Sequence, residues 1–293
     1  LGVGPRLIAV AALAMFGCAS LGVVDDGTSV SYGPSNAGVL LNPSQLPVRG
    51  QGYLIPERWS KRGLRFGTDE AVALIVHVAR EVEVQKPGST LGVGDLSPRR
   101  GGPSAWHRSH QTGRDIDLIY YAVDASGHPV APEHMHRFGA DGVVVRNAED
   151  DSAPVLRFDV ERNWLLVKAL IDNPVADVQW IFVADWLKQL MLDHARDRGE
   201  PMHVILAASY LLGQPGDSLP HDDHMHLRVY CAPTDRIIGC SDRGSLRWHK
   251  RDRKYAVRHS AVAYVEPLVR ILAKQRITAL ALSALPFPGF IAR

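Results

Sequence analysis

Two short stretches of the chain are dense in His and Asp: residues 106–117 read WHRSHQTGRDID, and residues 219–228 read LPHDDHMHLR. After the first stretch, Ile116, Leu118 and Tyr120 fall on alternate positions, as in a strand with one buried face. Residues 224–230 alternate in the same way and end at Cys231. The chain is therefore predicted to place its clustered ionisable residues on the strands of a sheet and in the loops before them.

Helical and strand patterns surround these two stretches in mixed order. Apolar residues recur at helical spacing over residues 68–85, 160–171 and 185–198, and short strands are indicated over residues 91–96 and 179–184. Residues 124–158 are polar, contain Pro and Gly, and are predicted to form a long excursion. This order predicts an α+β fold in which a small antiparallel sheet carries the site and helices flank it.

The composition is that of a folded protein with little net charge. With 293 residues, of which 46% are hydrophobic, the chain can bury one large core or two modest ones. It is too apolar for general disorder. Its formal net charge is +2. Because nucleic-acid binding usually requires a clustered basic face, no nucleic-acid partner is predicted.

The first 20 residues have the pattern of a secretory signal. Arg6 precedes an apolar run over residues 7–16, and small residues follow at 17–20. The run is shorter than the roughly 20 residues that a membrane-spanning helix needs. Residues 1–20 are therefore predicted to direct export. Two interpretations of Cys18 stay open: it becomes the lipidated N-terminus of a lipoprotein, or it is discarded with the signal peptide.

The other two cysteines, Cys231 and Cys240, lie nine positions apart around a Pro-containing loop. In an oxidising compartment such a pair predicts a small-loop disulfide. Two free buried thiols are the alternative. We favour the disulfide because the export signal independently indicates an oxidising compartment.

The His and Asp residues have the types and spacing of a metal site. A catalytic zinc needs about three nitrogen or oxygen ligands and one open position for water. A turn through Gly113 lets His110 and Asp117 face one ion, and His224 and His226 share one face of their strand. One of these two histidines could bind the metal while the other reaches substrate or water. A ligand set of two His and one Asp favours Zn²⁺ among first-row metals.

The two stretches resemble a known group of enzymes. The pattern His-x6-Asp, followed far downstream by His-x-His, resembles the lysostaphin, D-Ala-D-Ala metallopeptidase and hedgehog zinc-fold group. The fuller motifs, from His107 to Asp117 and from His221 to Arg228, are similar to those of the penicillin-insensitive murein endopeptidases, and the cysteine pair also fits that family. The resemblance covers mainly residues 91–121 and 179–240.

The resemblance implies a role for each matched residue. The zinc ligands would be His110, Asp117 and His226. His224 would be the general base or would stabilise the oxyanion, and His221 would flank the site and assist through hydrogen bonding. His107 matches a position tied to metal, either beside the ligands or as a ligand to another ion.

Three acidic residues next to these positions have open roles. Asp115 lies on the same strand face as Asp117 and could orient a ligand histidine, or it could be a solvated carboxylate at the rim. Asp222 and Asp223 either shape the turn before the second strand or hold His221.

The activity that the resemblance implies is hydrolysis of peptide cross-links in peptidoglycan, of the D-alanyl–diaminopimelate type, by a metal-activated water. Residues 61–242 would be the zinc metallopeptidase domain, preceded by a linker-like segment over 21–60 and followed by a basic, partly helical extension over 243–293. The location would be the periplasm, with an outer-membrane anchor if Cys18 is lipidated.

Two other functions stay open. One is a D,D-carboxypeptidase or dipeptidase on the same scaffold, in which Arg108 or Arg114 would hold a substrate carboxylate. The other is a non-catalytic, zinc-stabilised module that binds the cell envelope.

Overall fold

A computed structural model describes residues 27–145, 155–216 and 218–243. In chain order its elements are β1 Val30–Tyr32, β2 Val39–Leu41, β3 Ser44–Gln45, β4 Arg49–Gly50, β5 Tyr53–Leu54, α1 Glu57–Ser60, β6 Phe66–Gly67, α2 Asp69–Gln85, β7 Leu91–Val93, β8 Asp115–Ile119, β9 Ala122–Val123, β10 Arg157–Phe158, α3 Val160–Asp172, β11 Val178–Phe182, α4 Asp185–Asp197, α5 Met202–Leu211, β12 Leu212–Gly213, β13 His224–Val229 and α6 Pro233–Ile238.

The principal sheet has seven strands in the order β12-β11-β13-β8-β7-β5-β4. Its central pairs are antiparallel, whereas β11–β12 and β5–β7 are parallel. The predicted α+β class is confirmed. The sheet is larger than the small antiparallel one predicted, and it is mixed. The sequence did not reveal the additional strands because strands of two residues, such as β5 and β12, are too short to show an alternating pattern.

The two central strands, β8 and β13, present different chemistry on their two faces. Ile116 and Leu118 of β8 and Leu227 of β13 are buried in the same hydrophobic cluster as side chains of the helices. Because successive side chains on a strand point to opposite faces, Asp117 and His226 lie on the other face of the sheet. The core therefore anchors the strands, and the polar face is free to form a site.

The helices cover the apolar face of the sheet. Helix α2 begins after Thr68, whose side chain accepts a hydrogen bond from the Ala71 amide, as an N-cap does. Helix α3 packs against α2, α4 and α5. Full burial of an aliphatic side chain such as Ile75 stabilises the fold by about 1.5–3 kcal/mol. The helices predicted over 68–85, 160–171 and 185–198 correspond to α2, α3 and α4; α5 was not predicted.

The described part of the predicted linker, residues 27–60, is part of the folded domain. It contains β1 to β5 and α1, and Leu46, Tyr53, Ile55 and Trp59 are buried in the main core. Several of its Gly, Pro and Ser residues lie in the connections between very short strands, which gives it the composition of a linker. The predicted domain start at residue 61 is therefore too late, since β4 and β5 belong to the principal sheet.

Several predictions fall outside the described residues. These are the export signal over 1–20 with Cys18, and the C-terminal extension apart from residue 243. In the part of the chain that the structure describes, no helix has both the length and the hydropathy needed to cross a bilayer.

Candidate metal centre

Antiparallel pairing of β8 with β13 brings the two predicted stretches together. In this register His226 lies opposite Asp117. The loop before β8 adds His110, whose φ of 62° lies in the left-handed region that few non-glycine residues adopt. Gly113, with φ of 75°, makes the predicted turn between them. His110 and Asp117 thereby reach one point, the first from a loop and the second from a strand.

Three donor atoms lie at nearly equal separations from one another. Asp117 Oδ1 is 3.3 Å from His110 Nε2 and 3.2 Å from His226 Nδ1. The two ring nitrogens are 3.4 Å apart, and all three residues are buried. Ligand atoms bound at about 2.0–2.1 Å to a tetrahedral zinc lie about 3.3–3.4 Å from each other. The three separations therefore fit coordination of a single ion.

The hydrogen bonds behind the two imidazoles determine which nitrogen carries a proton. His110 Nδ1 lies 2.9 Å from the carbonyl oxygen of Leu96, and His226 Nε2 lies 2.9 Å from Asp115 Oδ1. Both oxygens only accept, so these two nitrogens are the donors. His110 Nε2 and His226 Nδ1 therefore direct lone pairs toward Asp117.

Asp117 Oδ1 is buried and has no hydrogen-bond partner among the described residues. A buried, unsatisfied polar atom is costly, and a bound cation would satisfy a carboxylate oxygen that faces two lone pairs. Residues able to hold a metal form two adjacent groups, His107–His110–Asp117 and His221–His224–His226. The three near-equal separations join His226 of the second group to His110 and Asp117 of the first. We prefer this set because the lone pairs of its two imidazoles both face Asp117.

Asp115 supports His226 from the side away from this point. Its Oδ1 also accepts from Arg228 Nε at 2.6 Å, and its Oδ2 accepts from the His110 amide at 3.3 Å. Burial raises the pKa of Asp115, but Arg228 and His226 outweigh burial and hold the pKa far below its usual value. Asp115 is fully buried, so it is not the solvated rim carboxylate that the sequence left open.

His224 and His221 lie on another side of Asp117. His224 Nε2 is 3.5 Å from Asp117 Oδ1, and His224 Nδ1 is 2.6 Å from Asp223 Oδ1. Burial lowers the pKa of His224, but Asp117 and Asp223 raise it more, to about 10. His221 has its ring centroid 5.2 Å from that of His224, and burial lowers its pKa to about 4. Its Nδ1 has no hydrogen-bond partner in the described part of the chain.

The sequence model of the penicillin-insensitive murein endopeptidases matches residues 31–252. The chain belongs to this family. It is therefore a peptidase of a family of metallopeptidases, and its described residues include groups that could hold a metal ion.

Curated relatives agree with this assignment. The penicillin-insensitive murein endopeptidase of Salmonella heidelberg is 27% identical over 223 residues, which are 74% of this chain and 71% of the relative. Proteins of the same name from Salmonella paratyphi C and Salmonella arizonae are 26% and 27% identical over the same shares.

In this murein endopeptidase His107 lies beside the three converging side chains and not among them. Its Nε2 is 2.9 Å from Asp95 Oδ2 and 3.7 Å from Asp117 Oδ2. Asp95 is fully buried, and Arg62 Nη1 also donates to its Oδ2, at 2.6 Å. The ring centroid of His107 lies 4.1 Å from that of His110, with the two ring planes tilted by 32°. His107 thus connects the buried Arg62–Asp95 ion pair to the three converging side chains.

The two acidic residues of the second stretch have different partners, and neither bonds to the ring of His221. Asp222 accepts from Arg137 Nε at 3.1 Å and from Arg137 Nη2 at 2.8 Å. Its carbonyl oxygen accepts from the Phe138 amide at 2.9 Å. These contacts fasten the predicted excursion to the turn before β13. The carboxylate of Asp223 instead bonds to His224. The sequence prediction missed this Asp223–His224 pair, although the two residues are adjacent.

The two arginines considered for a carboxypeptidase differ in exposure. Arg114 is 1% exposed, and its guanidinium donates to Asp242 Oδ1, to the Val229 carbonyl oxygen and to Ser31 Oγ. It is therefore a structural residue that cannot reach a substrate, which contradicts its assignment as a substrate-binding candidate. Arg108 is exposed on the loop that carries His110.

The predicted disulfide between Cys231 and Cys240 is present, with the two Cα atoms 6.0 Å apart. The alternative of two free thiols is excluded. The bridge lies directly after β13, and the Cys231 amide donates to Asp242 Oδ1, the same atom that Arg114 contacts. It therefore fastens the end of a strand that carries the site.

Proposed function

We propose that this chain is a zinc-dependent endopeptidase that hydrolyses D-alanyl–diaminopimelate cross-links of peptidoglycan. The proposed zinc ligands are His110 through Nε2, Asp117 through Oδ1 and His226 through Nδ1. The observation that carries the proposal is the set of near-equal separations among these atoms, 3.2 to 3.4 Å, around a buried carboxylate oxygen without a hydrogen-bond partner. Two His and one Asp are a typical set for a catalytic zinc with an open position.

A bound Zn²⁺ supplies a Lewis acid for the scissile carbonyl and lowers the pKa of water to about 7. His224 has its Nε2 3.5 Å from Asp117 Oδ1, so it can take a proton from the attacking water or hold the oxyanion. A cation beside His224 opposes protonation of its ring, which moves its pKa down from the value set by the two carboxylates alone. His224 can then pass the proton that it took from water to the leaving amine.

The remaining residues of the site orient these groups. Asp115 fixes the tautomer of His226, and the Leu96 carbonyl oxygen fixes that of His110. His221 flanks the centre, where its low pKa keeps the ring neutral. We assign His107 a supporting role because its Nε2 already contacts Asp95.

The predicted signal over residues 1–20 and the disulfide support an exported enzyme of the periplasm. Lipidation of Cys18 would add an outer-membrane anchor. Since no serine or cysteine nucleophile is required, the proposed chemistry would be insensitive to compounds that acylate a nucleophilic serine.

Purified cross-linked muropeptides test the proposed activity directly. We expect the protein to convert dimers into monomers, to lose this activity after chelation and to regain it with Zn²⁺. Replacing His224 by Ala should lower kcat by about 10²- to 10⁴-fold, as expected for loss of a general acid–base group. The control is His203→Ala, which changes an exposed histidine of α5. Unimpaired turnover by the chelated protein would contradict the proposal.

The same digests separate the two alternative functions. A D,D-carboxypeptidase would release terminal residues and leave the cross-linked dimers intact. A binding module would leave all muropeptides unchanged, while retaining zinc and affinity for peptidoglycan in the His224→Ala variant.

A further inference from the structure

The two ring nitrogens of His224 face two different carboxylates. Nδ1 lies 2.6 Å from Asp223 Oδ1, the distance of a charge-assisted hydrogen bond, whereas Nε2 lies 3.5 Å from Asp117 Oδ1. A carboxylate only accepts hydrogen bonds, so the proton of the shorter contact belongs to Nδ1. Nε2 is then the nitrogen directed at the metal centre.

Both roles proposed for His224 require this arrangement. In the neutral ring, a proton on Nδ1 leaves the lone pair on Nε2, where it can accept a proton from water. In the charged ring, Nε2–H can donate to an oxyanion. Without a partner for Nδ1, the neutral ring could carry its proton on Nε2 and would have no lone pair facing the centre.

The turn that precedes β13 is held by other contacts. Asp222 is 5% exposed, pairs with Arg137 through both carboxylate oxygens, and accepts from the Phe138 amide. The side chain of Asp223 is 35% exposed, and its Oδ1 points to His224. The two adjacent aspartates therefore have different roles: Asp222 fixes the turn, and Asp223 contacts the ring of His224.

We propose that Asp223 is a positioning residue that fixes the tautomer and the ring orientation of His224. The proposal deepens the proposed function and rests on it for the role of His224. Asp223 acts only through that ring and is not a ligand of the ion, so its loss should impair the chemical step and leave metal binding intact.

Two substitutions separate the parts of this interaction. Asp223→Ala removes the acceptor. Asp223→Asn keeps an amide oxygen that can accept from Nδ1 but removes the charge. The matched control is Asp193→Asn, which changes a half-exposed carboxylate on α4 that pairs with Arg196.

The first measurement is nitrogen-15 NMR of the His224 imidazole in the zinc-loaded protein, at a pH at which the ring is neutral. We expect a protonated Nδ1 in the wild-type protein and in the Asp223→Asn variant. We expect the Asp223→Ala variant to show a mixture of tautomers. A His224 tautomer that is unchanged in Asp223→Ala would overturn the proposal.

The second measurement is turnover of cross-linked muropeptides together with zinc affinity. For Asp223→Ala we expect kcat to fall by about 10- to 100-fold, the usual effect of losing a residue that orients an active-site group. KM and zinc affinity should stay within about twofold, and Asp223→Asn should lose less kcat. Wild-type kcat in Asp223→Ala would also overturn the proposal.

Failure of the two proposals can be told apart. If the wild-type protein cleaves no muropeptide with Zn²⁺ present, the proposed function fails, and the NMR measurement still decides whether Asp223 fixes the tautomer. If the wild-type protein is active and Asp223→Ala loses zinc together with activity, then Asp223 supports the metal site and the positioning role is wrong.

Discussion

His226 and Asp115 are joined across β13 and β8 by a 2.9 Å hydrogen bond from Nε2 to Oδ1, with 9% and 0% of their side chains exposed. Because this bond occupies Nε2, the lone pair of Nδ1 faces Asp117. The orientation of one proposed ligand is therefore set by a carboxylate whose own contacts are to His226, Arg228 and the His110 amide.

Asp115→Asn tests how much of the metal affinity depends on this support. The amide keeps one acceptor oxygen for the His226 Nε2–H, but the charge that strengthens this contact is lost. We expect zinc affinity to fall by about 10- to 100-fold, measured by competition with a chromophoric chelator. As a control, Asp193→Asn changes a half-exposed carboxylate on α4, and zinc affinity should be unchanged in this variant. Equal affinities of Asp115→Asn and the wild-type protein would show that Asp115 does not support the ligand.

The pairing of the two ionisable stretches could be predicted because each one precedes or occupies a strand with clear alternation. Ile116, Leu118 and Leu227 mark the buried face, which places Asp117 and His226 on the opposite face. The α+β class and the shared face of Asp117 and His226 were therefore accessible from the sequence, whereas the choice of His110, Asp117 and His226 as one ligand set came from the family resemblance.

Other contacts of the site have no local signal in the sequence. The Leu96 carbonyl oxygen that holds His110 belongs to the backbone, and Arg137 reaches Asp222 across 85 positions of the chain. Strands of two residues, such as β4 and β5, show no periodicity, so residues 27–60 resembled a linker. Helix α5 was missed for a related reason, since its apolar residues surround the helix and do not form one stripe.

Gly113 is expected to tolerate no side chain. Its φ is 75°, and a Cβ there would lie 2.8 Å from side-chain carbons of Leu40 and 2.9 Å from the Thr68 amide nitrogen. The Gly113 carbonyl oxygen also accepts from the Thr68 amide, and Thr68 is the N-cap of helix α2. We expect Gly113→Ala to lower the free energy of unfolding by about 2–4 kcal/mol, the sum of a strained φ and overpacking.

Gly199→Ala separates the two causes in the Gly113 variant. Gly199 has a φ of 66°, but nothing lies within 4 Å of a Cβ built there. Its substitution should therefore cost only the backbone strain, about 1–2 kcal/mol. Urea unfolding of both variants gives the difference. If the two variants lose the same stability, close packing around Gly113 contributes nothing.

The disulfide is expected to stabilise the end of β13. It closes a loop of nine residue steps between Cys231 and Cys240. Loop closure of this length corresponds to about 2–3 kcal/mol in the chain-entropy model. We expect the double variant Cys231→Ser, Cys240→Ser to lose about this much free energy of unfolding in urea. A reducing agent should destabilise the wild-type protein and leave the double variant unchanged, and equal sensitivity of both proteins would contradict the prediction.

Asp235 is expected to make stability fall as the pH rises. It is 2% exposed, and burial raises its pKa from 3.8 to about 7, although its Oδ2 accepts from the Ser31 amide at 2.8 Å. The folded protein thus holds this proton more tightly than the unfolded chain does. The resulting stability is complete below 3.8 and is lost progressively until the pH passes about 7.

Asp235→Asn imitates the protonated side chain at every pH and keeps an acceptor for the Ser31 amide. Relative to the wild-type protein, the variant should therefore gain stability between about pH 4 and pH 7, on the order of 1 kcal/mol or more, and the gain should level off above that range. Urea unfolding of both proteins across this range measures the difference, in which the titration of the histidines that they share cancels. A difference that stays constant with pH would mean that Asp235 is already ionised in the folded protein throughout the range, in spite of its burial.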